Sequence, residues 1–394
     1  MGTNSSLLPK PEGVFDRIIQ FAINNAIWVI LFAMTWIAIG IWSYQKLPID
    51  AVPDITNTQV QINTQANGYT ALETEQRITY PIETAMAGLP NLEQTRSISR
   101  YGLSQVTIIF KDGTDIYWAR QLINQRLQEA DGQLPDAVDP VMSPVSTGLG
   151  EIYQWVIKAQ PDARKEDGTP YSAMDLREIQ DWIVRPQLQR VKGVAEINSI
   201  GGYNKTYIVS PDLKRLQQLQ ISLTEFQTAL QENNENRGAG FIEENGQQLT
   251  VRVPGMLSTV EDIQNISVTT KKGLPIRVAD VASVAIGHAL RTGAATYNGE
   301  ETVLGIAMMM LGENSRIVAQ SVDAKVKEIQ LTLPKGVEIE TVYDRTSLVN
   351  KAIKTVQKNL VEGAILVIVI LFVFLGNFRA ALITACVIPL SMLF

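Results

Sequence analysis

The stretch Leu360–Leu375, LVEGAILVIVILFVFL, decides how this chain is organised. No charged residue occurs from Gly363 to Phe378, and Val, Ile, Leu and Phe dominate. A helix needs roughly 17 or more mainly apolar residues to cross a bilayer. A second charge-free stretch, Ala26–Tyr44, lies near the start. Two crossings return the chain to the side on which it began. The residues between them, from about Leu47 to Lys358, are therefore expected on the opposite side as one large water-soluble body.

The flanks give the direction. Met1–Pro11 is polar and reads as a loose tail. Phe15, Ile18 and Ile19 fall at helical spacing and predict an amphipathic helix on the membrane surface ahead of the first span. A cleaved signal peptide is disfavoured, because the apolar segment is long and no small-residue cleavage site follows. Lys10 and Arg17 precede the first span, and Arg379 sits in the turn after the second. All three fit headgroup anchors on one side, the cytoplasmic one by the positive-inside rule. The long middle then faces outward, into the periplasm of a Gram-negative cell. Ala380–Phe394 reads as a third span cut short, so the expectation is an amino-terminal fragment of a longer protein.

Composition excludes several functions. The 394 residues carry 34 Lys and Arg against 40 Asp and Glu, a net charge of −6, with no basic stripe, so no nucleic-acid partner is expected. Cys386 is the single cysteine, which rules out an intrachain disulfide and a cysteine metal knuckle. His288 is the single histidine, which rules out a histidine-cluster metal site. No phosphate-binding loop ending in Lys-Ser/Thr occurs, and no Ser-His-Asp or Cys-His set can be assembled. An enzyme is not expected. Neither span carries a mid-membrane Asp or Glu, and Glu362 lies only at a span edge. A proton relay needs buried ionisable groups in the bilayer, so none is expected within these residues.

The middle alternates strand and helix patterns. Thr58–Thr64 alternates apolar and polar residues, a strand with one buried face. Thr70–Met86 predicts a helix, and Leu92–Ser99 and Gln105–Phe110 predict strands. Thr114–Ala130 predicts a helix capped near Asp115, with Ala119, Leu122, Ile123 and Leu127 on one face. The pattern then recurs. Ile152–Ile157 predicts a strand, Ala173–Arg190 a helix, and Val194–Ile200 and Thr206–Ser210 strands. The text LETEQRITYPIETAM…LPNLEQTRSISRYG (72–102) parallels LREIQDWIVRPQLQ…KGVAEINSIGGYN (176–204), setting Pro81 against Pro186 and Glu93 against Glu196. Val303–Leu311, Ser315–Gln330 and Val337–Val342 echo Ile108–Val138 as strand, helix, strand. Such units build a sheet with helices on one face. Between about Val191 and Ala285 the text changes, with an Asn- and Gly-rich cluster and a hairpin expected around Asn245-Gly246, which marks an inserted subdomain. Tyr343–Lys358 predicts a charged helix leading into the second span.

Several single residues have a plain structural role as well as a functional one. Met308–Met310 offer thioether sulfur that suits Cu(I). In a strand at most two of them share a face, and core packing is the better account. His288 has no nearby ligand type and fits a surface or core position. Asp50 and Asp54 beside Pro48 and Pro53 fit turns just outside the first span, with an ion role as the alternative. Glu151, in STGLGEIYQW (146–155), follows a Gly-rich turn into a strand. A carboxylate there is either solvated or available to a cation, and carboxylates are acceptable Zn²⁺ and Co²⁺ ligands.

The text also carries a resemblance. LPIDAVPDITNTQVQINT (47–64), ETEQRITYPIETAMAGLP (73–90), the run 99–130, PVSTGLGEIYQW (144–155), the run 292–316 and VYDRTSLVNKAI (342–353) resemble the heavy-metal branch of the resistance–nodulation–division (RND) efflux pumps, most of all the cobalt–zinc–cadmium inner-membrane subunit. The likeness runs from about Phe15 to Phe394. It implies a homotrimeric, multi-pass pump of the inner membrane with a large periplasmic domain. That pump joins a periplasmic adaptor (membrane fusion) protein and an outer-membrane channel, and exchanges protons for divalent cations such as Zn²⁺, Co²⁺ or Cd²⁺. The metal is cargo; no cofactor is implied. The resemblance also implies membrane helices plus an α+β periplasmic body of repeated ferredoxin-like βαβ porter subdomains with a docking insertion. The expected division is an N-terminal tail (1–14), surface helix and first span (15–46), first porter subdomain (47–139), first part of the second (140–190), docking subdomain (191–284), second part of the second porter subdomain (285–342), linker helix and second span (343–376) and a truncated third span (377–394). It places Glu151 on a strand lining the porter cleft as the metal-contacting residue. The proton-carrying carboxylates and the other half of the cleft would lie beyond Phe394. A multidrug-type exporter of the same superfamily and a membrane-tethered periplasmic interaction protein that transports nothing are the rival readings.

Overall fold

Two helices open the described chain, and their character follows from composition. A computed structural model describes residues 13–46, 56–135, 138–146, 148–234, 237–244, 246–253, 255–271, 273–291, 293–375 and 379. Helix α1, Val14–Asn24, ends at Asn25, whose backbone N–H and side-chain amide both donate to Phe21 O at 3.0 Å. Helix α2, Ala26–Lys46, follows at once. Its window Ala26–Ser43 is apolar and wholly uncovered by the rest of the chain. The tail and third-span expectations, and Lys10, Asp50, Asp54 and Cys386, lie outside the described residues.

The first α/β unit follows. Strand β1, Gln59–Gln65, buries Val60, Ile62 and Thr64 by simple alternation. Helix α3 runs from Ala71 through a π turn at Glu75–Thr79 to Met86. It starts with a capping box in which Thr70 and Glu73 satisfy each other's backbone N–H groups. The π turn precedes Pro81. Proline has no N–H and its ring crowds the carbonyl four residues back. One residue earlier, Tyr80 N–H reaches back five residues to Glu75 O, which widens the helix at that point. Strands β2, Leu92–Arg100, and β3, Leu103–Phe110, form a hairpin turning on Tyr101 and Gly102. Helix α4, Ile116–Ala130, is capped by Asp115, which accepts from Trp118 N–H at 2.8 Å. Strand β4, Pro140–Met142, closes the sheet in the order β2-β3-β1-β4, and the adjacent strands are antiparallel. The helices cover one face, and their apolar stripes meet Ile62, Ile108 and Phe110 in a continuous core.

The second unit repeats this plan. It comprises β5, Glu151–Ala159; α5, from Ala173 through a second π turn at Gln180–Val184 to Leu188; and β6, Val194–Gly201. Its π turn again precedes a proline, Pro186, and Arg185 N–H bonds Gln180 O. The chain then leaves the sheet through β7, Lys205–Pro211; α6, Leu213–Gln218; α7, Leu223–Glu232; the hairpin β8, Arg237–Glu244, and β9, Gln247–Val253; α8, Val260–Gln264; the hairpin β10, Ser267–Lys271, and β11, Leu274–Arg277; and α9, Val278–Val281. It returns along β12, Ala282–His288, antiparallel to β7. This insertion has its own core, including Phe226, Ile263 and Val281. The sheet resumes with β13, Ala295–Tyr297, β14, Glu300–Met309, helix α10, Ser315–Gln330, and β15, Val337–Asp344. Strand β14 lies between β6 and β5, and β5 between β14 and β15, so the order is that of the first sheet.

Pairing moves two expected boundaries. β4 bonds to β1 and belongs to the first sheet, although 140–190 was assigned to the second unit. β6 bonds along β14, so the insertion starts after Gly201 rather than at 191, and the β7–β12 ribbon carries it past 284 to His288. The text change near Val191 marks a turn, not a change of domain. Insertion takes place where the first unit has its Tyr101-Gly102 turn. Gly201 and Gly202 (φ +83° and +65°) turn the chain out, and a Cβ on either would collide with neighbouring backbone. Helix α11, Arg345–Leu375, runs unbroken from the end of β15 through the apolar stretch, with no separate linker helix. Its 31 residues make it about 46 Å long, more than the ~30 Å hydrocarbon core of a bilayer.

Candidate functional site

The helices cover only one face of the second sheet, and Glu151 belongs to the side they leave open. It is the first residue of β5 and is half-buried. Gln154 Nε2 donates to its Oε2 at 3.0 Å, which steadies the carboxylate. A bulge between Ala307 and Met308 sets Glu151 opposite Met308 of β14. On the far side of β14, Met308 is opposite Glu196 of β6. Directly paired residues in antiparallel strands share a face, so Glu151, Met308 and Glu196 form one row across three strands. With strands about 4.8 Å apart, the two carboxylate-bearing backbones stand roughly 10 Å apart with the thioether between them. Glu196 half-emerges, while Met308 is 9% exposed.

Another carboxylate of this sheet is already engaged. Glu340 accepts from Lys158 and from Tyr297 Oη, the latter at 2.7 Å. The Lys158 hydrogen bond, then the Tyr297 one, holds the Glu340 carboxyl below the usual range. On the covered face, Tyr153 donates to Asp323 at 2.9 Å and pairs with Thr341 Oγ1 at 2.6 Å. Burial pushes the Tyr153 hydroxyl far up, so it remains a proton donor.

Among the described residues, no three of His, Cys, Asp and Glu come together as a metal-binding group. The row therefore offers two carboxylates and one soft sulfur, part of a coordination shell. His288 ends β12, its ring 4.7 Å from that of Tyr203, far from Glu151 in the fold. Met309 packs in the core and Met310 is 38% exposed, so the three methionines do not act together. Arg17, on α1, and Arg379, past the end of α11, are exposed.

The sequence reading singled out Glu151 and missed Glu196 and Met308 as its row-mates. The signal was present but off by one. The repeat set Glu93 against Glu196, whereas each sheet has a bulge on its second strand, between Leu92 and Gln94 and between Val194 and Glu196. Register aligns Gln94 with Glu196.

Comparison with known proteins agrees with this architecture. Residues 18–394 match the AcrB/AcrD/AcrF family. The chain is 63% identical over 382 residues to the cation efflux system protein CzcA of Alcaligenes sp. (strain CT14), covering 97% of this chain and 36% of that protein. It is equally similar, 63% with the same coverage, to the cobalt-zinc-cadmium resistance protein CzcA of Cupriavidus metallidurans. The crystal structure of a heavy metal efflux pump superposes with a TM-score of 0.85 at 34% identity, over 95% of this chain and 37% of that one. The chain thus spans about a third of the length of these relatives, and it belongs to the AcrB/AcrD/AcrF family.

Proposed function

We propose that this chain is the amino-terminal part of a proton-driven RND pump that exports divalent heavy-metal cations from a Gram-negative cell. In this reading α2 and α11 cross the inner membrane. The two α/β units are porter subdomains in the periplasm, of the ferredoxin-like type, and the insertion is a docking subdomain. The working pump is a homotrimer joined to a periplasmic adaptor and an outer-membrane channel. What supports the helices as spans is their long, apolar and uncovered surface, which needs lipid or protein around it.

The observation that carries the cargo assignment is the Glu151–Met308–Glu196 row. Carboxylate oxygen suits Zn²⁺ and Co²⁺, and a single thioether is too little for a Cu(I) site. The remaining ligands are then supplied from outside these residues. Glu151→Gln keeps shape and removes charge. In the full-length pump it should weaken zinc binding, measured by calorimetry, by roughly tenfold or more, since losing even an outer-shell partner of a metal ligand costs about that much. It should lower zinc and cobalt resistance of cells at equal expression. Unchanged binding and resistance would remove Glu151 from the site.

A further inference from the structure

Resting on that reading, we propose that Arg345 is the positioning residue that delivers movement of the membrane helix to Glu151. Arg345 is the first residue of α11 and is 5% exposed. Its Nη1 donates to Leu149 O, two residues ahead of Glu151. Gly150, between them, sits tightly against β14; a Cβ there would lie 3.1 Å from Met309 O. The short 3₁₀ turn Gly148–Gly150 is thus clasped between β14 and the head of α11.

Helix α11 is continuous from that clasp to Leu375, with no π turn and no Gly/Ser pair. No proline interrupts Arg345–Leu375, and kinks need such a cause. Thr346 N–H bonds Asp344 Oδ1 at 2.7 Å, which joins the helix to β15 without a loop, and Val349 is fully buried one turn on. Asp344 in turn pairs with Tyr153 of β5. A shift or tilt of α11 in the membrane therefore reaches the β5 mouth by two routes, the ladder at Asp344 and the guanidinium at Arg345. The ladder moves the strand as a whole. The guanidinium acts on the turn that aims Glu151, so it changes the carboxylate's direction relative to Met308 and Glu196.

The test uses the full-length pump in proteoliposomes with zinc as the probe. Arg345→Gln should cut the zinc transport rate under an imposed proton gradient roughly tenfold, within the range by which coupling residues act. Zinc affinity at equilibrium should stay within about twofold, so the loss falls in kcat and not in KM. Arg345→Lys, which keeps a buried donor, should recover most of the rate. A rate that is unchanged, or a loss of affinity that matches the loss of rate, overturns the proposal. A second measurement needs no zinc, and its parent and Arg345→Lys arms stand even if Arg345→Gln folds poorly. A bimane probe on Ser146→Cys, in a pump whose native cysteines, Cys386 among them, are replaced by Ser, should report the proton gradient in the parent and Arg345→Lys pumps without metal and lose that response in correctly folded Arg345→Gln. No response in the parent, or an undiminished one in Arg345→Gln, overturns the coupling. Failure of the metal reading appears separately, as a parent pump that binds no zinc.

Discussion

The two α/β units share strand order, π turns, capping boxes and second-strand bulges, yet they fill the shared frame differently. Register gives the equivalences. On the open face, the second unit's Glu151–Met308–Glu196 row corresponds to Gln59–Ile109–Gln94 in the first. Two amides stand where the second unit has two carboxylates, and a branched alkane where it has a sulfur. The frame needs polar ends and an apolar centre there; it does not need charge. On the covered face, the pair Ile62–Val106 becomes Trp155–Gly305. A Cβ on Gly305 would overlap the indole, so volume is moved from one strand to its neighbour. The indole N–H then needs a partner and finds Gln180 Oε1 at 3.0 Å, on the π turn, where the first unit has the exposed Glu75. A third exchange follows from the insertion. Thr79 joins the hydroxyls of Ser99 and Ser104 at 2.8 Å each in the first unit. Its counterparts Val184, Gly201 and Val303 are apolar or lack a side chain, because there the hairpin opens to let the chain out.

The largest effect should come from breaking the Trp155 exchange. Trp155→Ala removes a fully buried indole and strands Gln180, and should cost about 3–5 kcal/mol of unfolding free energy. Gly305→Val in the presence of Trp155 overpacks the same spot and should cost about 1–3 kcal/mol or more. The double change Trp155→Ile with Gly305→Val installs the first unit's pair. If the exchange is a true volume trade, denaturant melts should show the double variant more stable than Gly305→Val alone, with strong non-additivity.

Much of this frame was legible in the text. Helix α10 is bounded as predicted, Ser315–Gln330, because Asn314 caps it and a clear apolar stripe runs along it. Asp115 was legible as a cap for the same reason. The repeat was visible through Pro81 and Pro186. The π turns were not, since a proline in a helical pattern reads as a boundary and the widened turn leaves no compositional mark. The extent of the insertion was obscured because β6 pairs with β14, about a hundred residues downstream, and local text cannot show that. The site was half legible for the same reason. Glu151 announces itself by the glycines before it, whereas Glu196 and Met308 join it only through strand register and a bulge.

A medium effect should separate the units in acid. Asp323 on α10 corresponds to Asn124 on α4, counting from the caps Asn314 and Asp115. Burial pushes the Asp323 carboxyl up, but the hydrogen bonds from Lys327, at 2.7 Å, and Tyr153 outweigh it and hold the group below its ordinary value. A carboxyl lowered in the folded state stabilises the fold above its unfolded value, about 3.9, and that contribution is lost as pH falls through the folded value. Acid should therefore loosen the second unit through this contact while the first unit, with Asn124, lacks it. Hydrogen exchange at pH 3 against pH 6 should show extra opening around β5 and α10, and Asp323→Asn should flatten that difference. Equal acid opening in Asp323→Asn and the parent would assign it elsewhere.

The smallest effect concerns the caps, where the units are closest to interchangeable. Thr70→Ala and Ser172→Ala each remove one acceptor for the N–H of the third helical residue and should each cost about 1 kcal/mol. The acidic partners differ. Glu73 is held below its usual range by the Thr70 backbone N–H first and the Thr70 side chain next, and it serves only the cap and nearby Arg77. Asp175 is partly buried, which pushes its carboxyl up; Ser172 and then Lys165, whose Nζ lies at 3.0 Å, pull it lower overall. Lys165 comes from the turn after β5, so Asp175 ties that turn to α5 as well as capping the helix. Neutralising the two acids should thus part the units where removing the hydroxyls does not. Asp175→Asn should lower the unfolding midpoint more than Glu73→Gln, and the excess should vanish when Lys165 is already Met. An excess that survives Lys165→Met would place the difference in the cap itself and make the two helix starts less alike than their hydrogen bonds indicate.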